Sequence, residues 1–231
     1  MRFSRVRSVV SGTVAALGLA LAGAASALPV NLIANGDFEQ GNLLFGSDYA
    51  HTPGGNTAAG QYTVASSPQS WNSYLANAND HTPGAGTKLL IGNGASSDSR
   101  VWYAQVSVTS GTQYSLEAFV MNVCCNSTYT FAPSPVSPAQ LTFYANGEPI
   151  ASRTPGSTGL WEALTGTWFS GEATSLLLEL RNGNLAQNGN DFGVDDIGLY
   201  RSTNNVPEPG TLLLTGLGAI TLAAHARRRS G

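Results

Sequence analysis

Charge is what this sequence has least of. Of 231 residues only 11% are Asp, Glu, Lys or Arg, against about 25% in an ordinary globular chain. There is one lysine, Lys88. Helix surfaces are built largely from Glu, Lys, Arg and Gln, so a helical bundle is excluded. A formal net charge of −3 lacks the basic surplus of a nucleic-acid binder. The only cysteines are the adjacent Cys124 and Cys125. That is too few for a disulfide framework, and no second Cys pair or His array exists to complete a zinc site. Gly-x-Ser-x-Gly, His-Glu-x-x-His and P-loop patterns are also missing, so the chain reads as a non-enzyme. What is present is 42% hydrophobic residues and 27 glycines. That is enough apolar material for a core.

The charge is unevenly spread. Arg2, Arg5 and Arg7 open the chain, and Arg227, Arg228 and Arg229 nearly close it. Between residues 28 and 206 five basic residues face thirteen acids, leaving −8. At the N-terminus the arginines precede an apolar run, Val14 to Ala24, and then Ala25-Ser26-Ala27. This is the order of a secretory signal peptide, with signal peptidase expected to cut after Ala27. At the C-terminus Val206-Pro207-Glu208-Pro209 precedes an apolar segment, Thr211 to Ala226, and then the arginine cluster. The segment is slightly shorter than the ~20 residues of a full span. The trailing arginines would hold the tail on the cytoplasmic side.

This three-part tail resembles the PEP-CTERM sorting signal of Gram-negative envelope proteins. The resemblance implies processing by an exosortase and transient residence in the inner membrane. It also implies export to the cell surface or extracellular matrix, often alongside exopolysaccharide and biofilm production. The expected organisation is a signal helix over 1–27, one domain over 28–203, and a transmembrane sorting helix within 204–231.

The middle carries repeated alternation of apolar and polar residues bounded by turns. Val101 to Val108 alternates, with Trp102, Ala104, Val106 and Val108 on one face. After Thr109-Ser110-Gly111-Thr112, Tyr114, Leu116, Ala118 and Val120 share a face, and the two runs are expected to form a hairpin. Leu141 to Ala145 is a further strand, turned by Asn146-Gly147 in type I′ fashion. Leu176 to Leu180 and Phe192 to Tyr200 complete the clear set. The expected class is an all-β jelly-roll sandwich. Asn31 to Glu39 resembles the opening strand of galactose-binding-like jelly rolls, a group that includes many carbohydrate-binding modules. Phe192 to Leu199 resembles their closing strand. Asp80 to Gly84 and Gly189 to Phe192 resemble recurring motifs of exported PEP-CTERM proteins built on this domain.

That resemblance implies a structural Ca²⁺ where first and last strands meet, with Glu39 and Asp195 as its ligands. Asp37 is a further candidate from the opening strand. If Ile197 and Leu199 face inward, simple alternation turns Asp195 inward too, where a carboxylate needs a partner or a metal. A sugar-binding face would need exposed aromatics, and Trp71, Tyr74, Tyr103 and Tyr144 are the candidates. His81 with Asp80 could bond a neighbouring loop or ligate a metal, and the loop role fits its turn sequence. In an oxidising compartment Cys124 and Cys125 could form a vicinal disulfide, bridge to other molecules, or stay free. Two functions remain. One is a non-catalytic module holding exopolysaccharide at the cell surface. The other is a structural coat protein that binds no sugar.

Overall fold

The computed structural model describes residues 29–56, 58–82, 87–127, 137–186 and 189–202. The expected leader and sorting motif lie outside these residues. Among them, the elements in chain order are β1 (Ala50–His51), β2 (Gln61–Ala65), α1 (Pro68–Trp71), β3 (Leu89–Asn93), β4 (Arg100–Ser107), β5 (Gln113–Asn122), β6 (Leu141–Ala145), β7 (Glu148–Arg153), β8 (Glu162–Phe169), β9 (Ser175–Asn182) and β10 (Phe192–Arg201). Six strands form one sheet in the order β1-β2-β3-β10-β5-β8, and four form a second in the order β4-β9-β6-β7. The expectation of an all-β sandwich is met.

The alternating residues explain the core. Tyr114, Leu116, Ala118 and Val120 of β5 meet Trp102 and Val106 of β4, Phe143 of β6, and Leu176, Leu178 and Leu180 of β9. Burying one apolar face on each sheet drives the two together. Asn146 and Gly147 both take positive φ, 51° and 89°, as a type I′ turn requires, and join β6 to β7.

The expected hairpin between β4 and β5 does not form. β4 pairs with β9 in the four-stranded sheet, and β5 pairs with β8 and β10 in the other. The 109–112 turn therefore crosses from sheet to sheet. Alternation cannot separate these cases, because either arrangement turns one apolar face to the same core. The opening segment also departs from a strand. Asn35 and Phe38 take φ of 54° and 53°, and residues 34–37 form a turn. The segment still runs beside β10, with Leu32 N–H donating to Leu199 O and Ile197 N–H to Gly36 O, both at 2.9 Å.

A second, smaller core lies on the outer face of the six-stranded sheet. The segment around α1 sets Trp71, Leu75, Ala76 and Ala78 over Leu89, Ile91, Met121 and Val123. This cap explains why β3 is buried on both faces and reads as an unbroken apolar run, Leu89-Leu90-Ile91. It also explains why β5 alternates as far as Phe119 and then stays buried from Val120 to Asn122. Trp161 Nε1–H donates to Asn79 O at 3.0 Å, tying down the end of the cap. Beyond that end the sheet face is open.

Candidate functional site

The open half of that face is a grid set by strand register. Tyr200, Ser115 and Thr167 form one row, Gly198, Glu117 and Thr165 the next, and Asp195, Phe119 and Ala163 the third. Asp195 lies in this grid, not in the inner core. A bulge between Asp195 and Gly198 adds a residue, with Asp196 at φ +47°. A bulge reverses alternation across itself. Val194 and Ile197 therefore both reach the inner core, while Asp195 turns to the opposite side from the one simple parity gives.

There the cap covers it. Asp195 is fully buried and accepts His81 N–H at 2.9 Å and Asp196 N–H at 2.8 Å. Burial, and next the Asp80 carboxyl, push the Asp195 pKa well above the carboxylate range. Asp80 Oδ2 is buried without a donor from the described residues. A proton kept on Asp195 relieves the repulsion between the two carboxyls.

The bulge also aims Asp196 at the loop. Its carboxylate meets His81 Nδ1 at 2.7 Å and Thr82 Oγ1–H at 2.8 Å. His81 in turn stacks on Phe119, with centroids 3.5 Å apart, and meets the edge of Trp161. The expected bond from His81 to a neighbouring loop is replaced by one to the bulge of β10, because that bulge turns Asp196 toward the histidine. Beside this stack opens a cleft of about 540 Å³, walled by the opening segment and lined by Asp37, His81, Glu117, Phe119, Asp196 and Tyr200 among others. A second hollow of about 530 Å³ continues it toward Thr165 and Thr167 and shares Glu117 and Tyr200.

Tyr200 is the floor between them. Its ring folds back over Gly198, where an added Cβ would lie 2.5 Å from it. Burial, then Glu117 and Asp196, push its phenol pKa up, so both carboxylates project a negative field onto the floor. Glu117 is exposed and has no hydrogen-bond or ion-pair partner among the described residues. Among the described residues no lysine or arginine lines either hollow.

The aromatics expected to form a sugar platform lie in three places. Trp71 is buried in the cap core, its indole N–H donating to Thr52 O at 2.7 Å, so it offers no surface ring. Tyr74 is 52% exposed on the cap. Tyr103 and Tyr144 sit outward on the four-stranded sheet, both in register with Glu179. Arg100 lies 3.9 Å over Tyr103, and Arg181 lies 5.4 Å from the Tyr144 ring. Glu179, buried between them, bonds both guanidiniums. These rings belong to an internal charge network. Glu117, Phe119 and Tyr200 were not among the sequence candidates. An aromatic at outward parity in an otherwise regular strand, Phe119, was the available signal.

The residues expected to hold Ca²⁺ answer to separate partners. Both Glu39 oxygens are engaged, by the N–H groups of Thr87 and Lys88 and by the Thr87 hydroxyl. The Lys88 ammonium sits 2.9 Å from Glu39 O. Asp37 accepts Glu39 N–H at 3.4 Å. Among the described residues no three His, Cys, Asp or Glu side chains are grouped to hold a metal. Cys124 and Cys125 are joined in a vicinal disulfide just past β5.

Residues 205–229 match the PEP-CTERM protein-sorting motif. The chain thus carries the tail expected from its sequence, and that motif implies exosortase-dependent export and association with a Gram-negative cell envelope. Comparison with curated proteins finds no match. Among solved structures, a family-61 carbohydrate-binding module, TmCBM61, in complex with β-1,4-galactotriose is similar at 14% identity, covering 75% of this chain and 99% of that one, with a TM-score of 0.48. A cyclase from Fischerella sp. TAU, in complex with an indolyl butanone, is similar at 16% identity, covering 76% and 98%, TM-score 0.49. The CBM22 and GH10 modules of a Clostridium thermocellum xylanase, solved with xylohexaose, are similar at 19% identity and TM-score 0.36. This chain spans 25% of that protein, with 58% of its own length. At these levels the likeness carries no ligand or activity over to this chain.

Proposed function

We propose that this exported protein binds carbohydrate at the cell surface, in the cleft over β5 and β10, and performs no catalysis there. The observation that carries the reading is the Tyr200 ring lying over Gly198 on an open sheet face. Around it stand Ser115, Thr165, Thr167, Glu117 and the Phe119–His81 stack. A sugar presents an apolar ring face and a rim of hydroxyls. An aromatic floor answers the first, and carboxylates and hydroxyls answer the second. The register holds these groups on three neighbouring strands, so the site needs little ordering on binding. Exopolysaccharide of the producing cell is the natural partner for a module sorted to its envelope.

Affinity electrophoresis of the exported protein in the producer's exopolysaccharide tests this. Tyr200→Ala should weaken binding about tenfold, the loss of one well-placed aromatic contact. Tyr144→Ala, on the other sheet, should leave it unchanged. An exported protein that is not retarded at all would support a structural coat role instead.

A further inference from the structure

The cleft has a charge pattern that narrows its ligand. Asp37, Glu117 and Asp196 line it, and among the described residues no lysine or arginine does. Two of these carboxylates act on the Tyr200 phenol. Both Asp196 oxygens are engaged, by His81 and Thr82, whereas Glu117 has no ion-pair or hydrogen-bond partner among the described residues and stands at the centre, between Tyr200 and Thr165. Asp48, Asp98 and Glu162 pair with Arg100, Arg181 and Arg153, whereas Glu117, in the middle of a sheet and beside an aromatic floor, has no ion-pair partner among the described residues. Residues 28–206 as a whole carry −8, so the approach of a cation is favoured at long range as well.

Resting on the carbohydrate reading above, we infer that the cleft takes amino sugars with a free, protonated amine, as in a de-N-acetylated glucosamine polymer. The sugar ring would lie on Tyr200, and its ammonium would donate to Glu117. A charge-assisted bond of this kind is stronger than one between neutral groups. An acetamido group has no charge to offer Glu117, and an anionic sugar would be repelled.

Calorimetric titration of the exported protein with glucosamine oligomers, N-acetylglucosamine oligomers and glucose oligomers of equal length, in mildly acidic buffer, tests the inference. Glucosamine oligomers should bind about tenfold more tightly than the N-acetylated ones. Added salt and Glu117→Gln should each remove that preference. Glu117 is exposed and unpaired, so the variant should melt like the original. Glu172→Gln, on the exposed turn between β8 and β9, is the control. If it weakens binding as much as Glu117→Gln, the attraction belongs to the whole acidic surface and the site is overturned. If neutral oligomers bind as well as glucosamine and Glu117→Gln changes nothing, the amine preference falls while carbohydrate binding stands. If no oligomer binds, both fall.

Discussion

Asp80 and Asp195 set two buried acceptors against each other. One proton lets both stay buried, and its loss leaves adjacent charges in a medium that solvates them poorly. Asp80→Asn puts an amide donor where the proton was, while keeping an oxygen for Thr82 N–H, now 3.0 Å from Asp80 Oδ1. The variant should gain about 1–3 kcal/mol in alkaline buffer relative to the original and little in mild acid. Urea titrations at two pH values measure this. Equal alkali sensitivity in the two proteins would mean that no proton is shared. Single residues of this kind also mark where sequence reading stops. The paired aspartates were visible as a motif, and alternation picked Asp195 as the buried one, but the face of the sheet on which it is buried was not legible, because one inserted residue decides it.

Among the elements, β10 carries the most. It pairs with β3 and β5, receives the opening segment, and holds the bulge. Two of the glycines around it have opposite meanings. At Gly36 an added Cβ would lie 2.0 Å from the Ile197 carbonyl oxygen, a backbone atom that cannot swing away. Gly36→Ala should cost more than about 2 kcal/mol and lower the melting temperature steeply. At Gly198 the added Cβ meets only the end of the Tyr200 ring, which can rotate. Gly198→Ala should therefore melt within a few degrees of the original yet lose carbohydrate binding, because the floor of the cleft is displaced. Calorimetric melts paired with ligand titration separate the two outcomes. Strand existence and inward faces were legible here from alternation. Strand partners were not: β4 and β5 look like a hairpin in sequence and lie in different sheets.

For the whole molecule, the ionisable groups set a pH optimum. Asp191 is pushed from 3.8 up to about 6 by burial. Between those values the unfolded chain gives up the proton and the folded chain keeps it, so stability falls as pH rises through that window. The full effect is on the order of 3 kcal/mol. Asp195 acts with the same sign over a window that opens at the same 3.8 and extends up to about 9. Asp48, held low chiefly by its Arg100 bond, and Glu162, held low by the Gly156 N–H and then Arg153, act oppositely. Their stabilisation is present above their ordinary values and is lost as pH falls through the lowered ones. Thermal melts across pH should peak in mild acid. Asp191→Asn should make the decline between about pH 4 and 6 shallower, leaving the part due to Asp195 and the acid limb in place.

Local order along the chain carried much of this. The sorting motif, the expected leader, the β class and the inward faces of β4, β5, β6 and β9 all follow from residues close in sequence, because cleavage, sorting and alternation depend on local order. The cleft depends on distant segments. A bulge held by residues 36 and 197 reverses the parity of Asp195. A cap around α1 covers half of a sheet face and leaves Glu117, Phe119 and Tyr200 on the other half. Only tertiary structure could decide these, because a β-strand's periodicity says which side chains share a face and not what lies against that face.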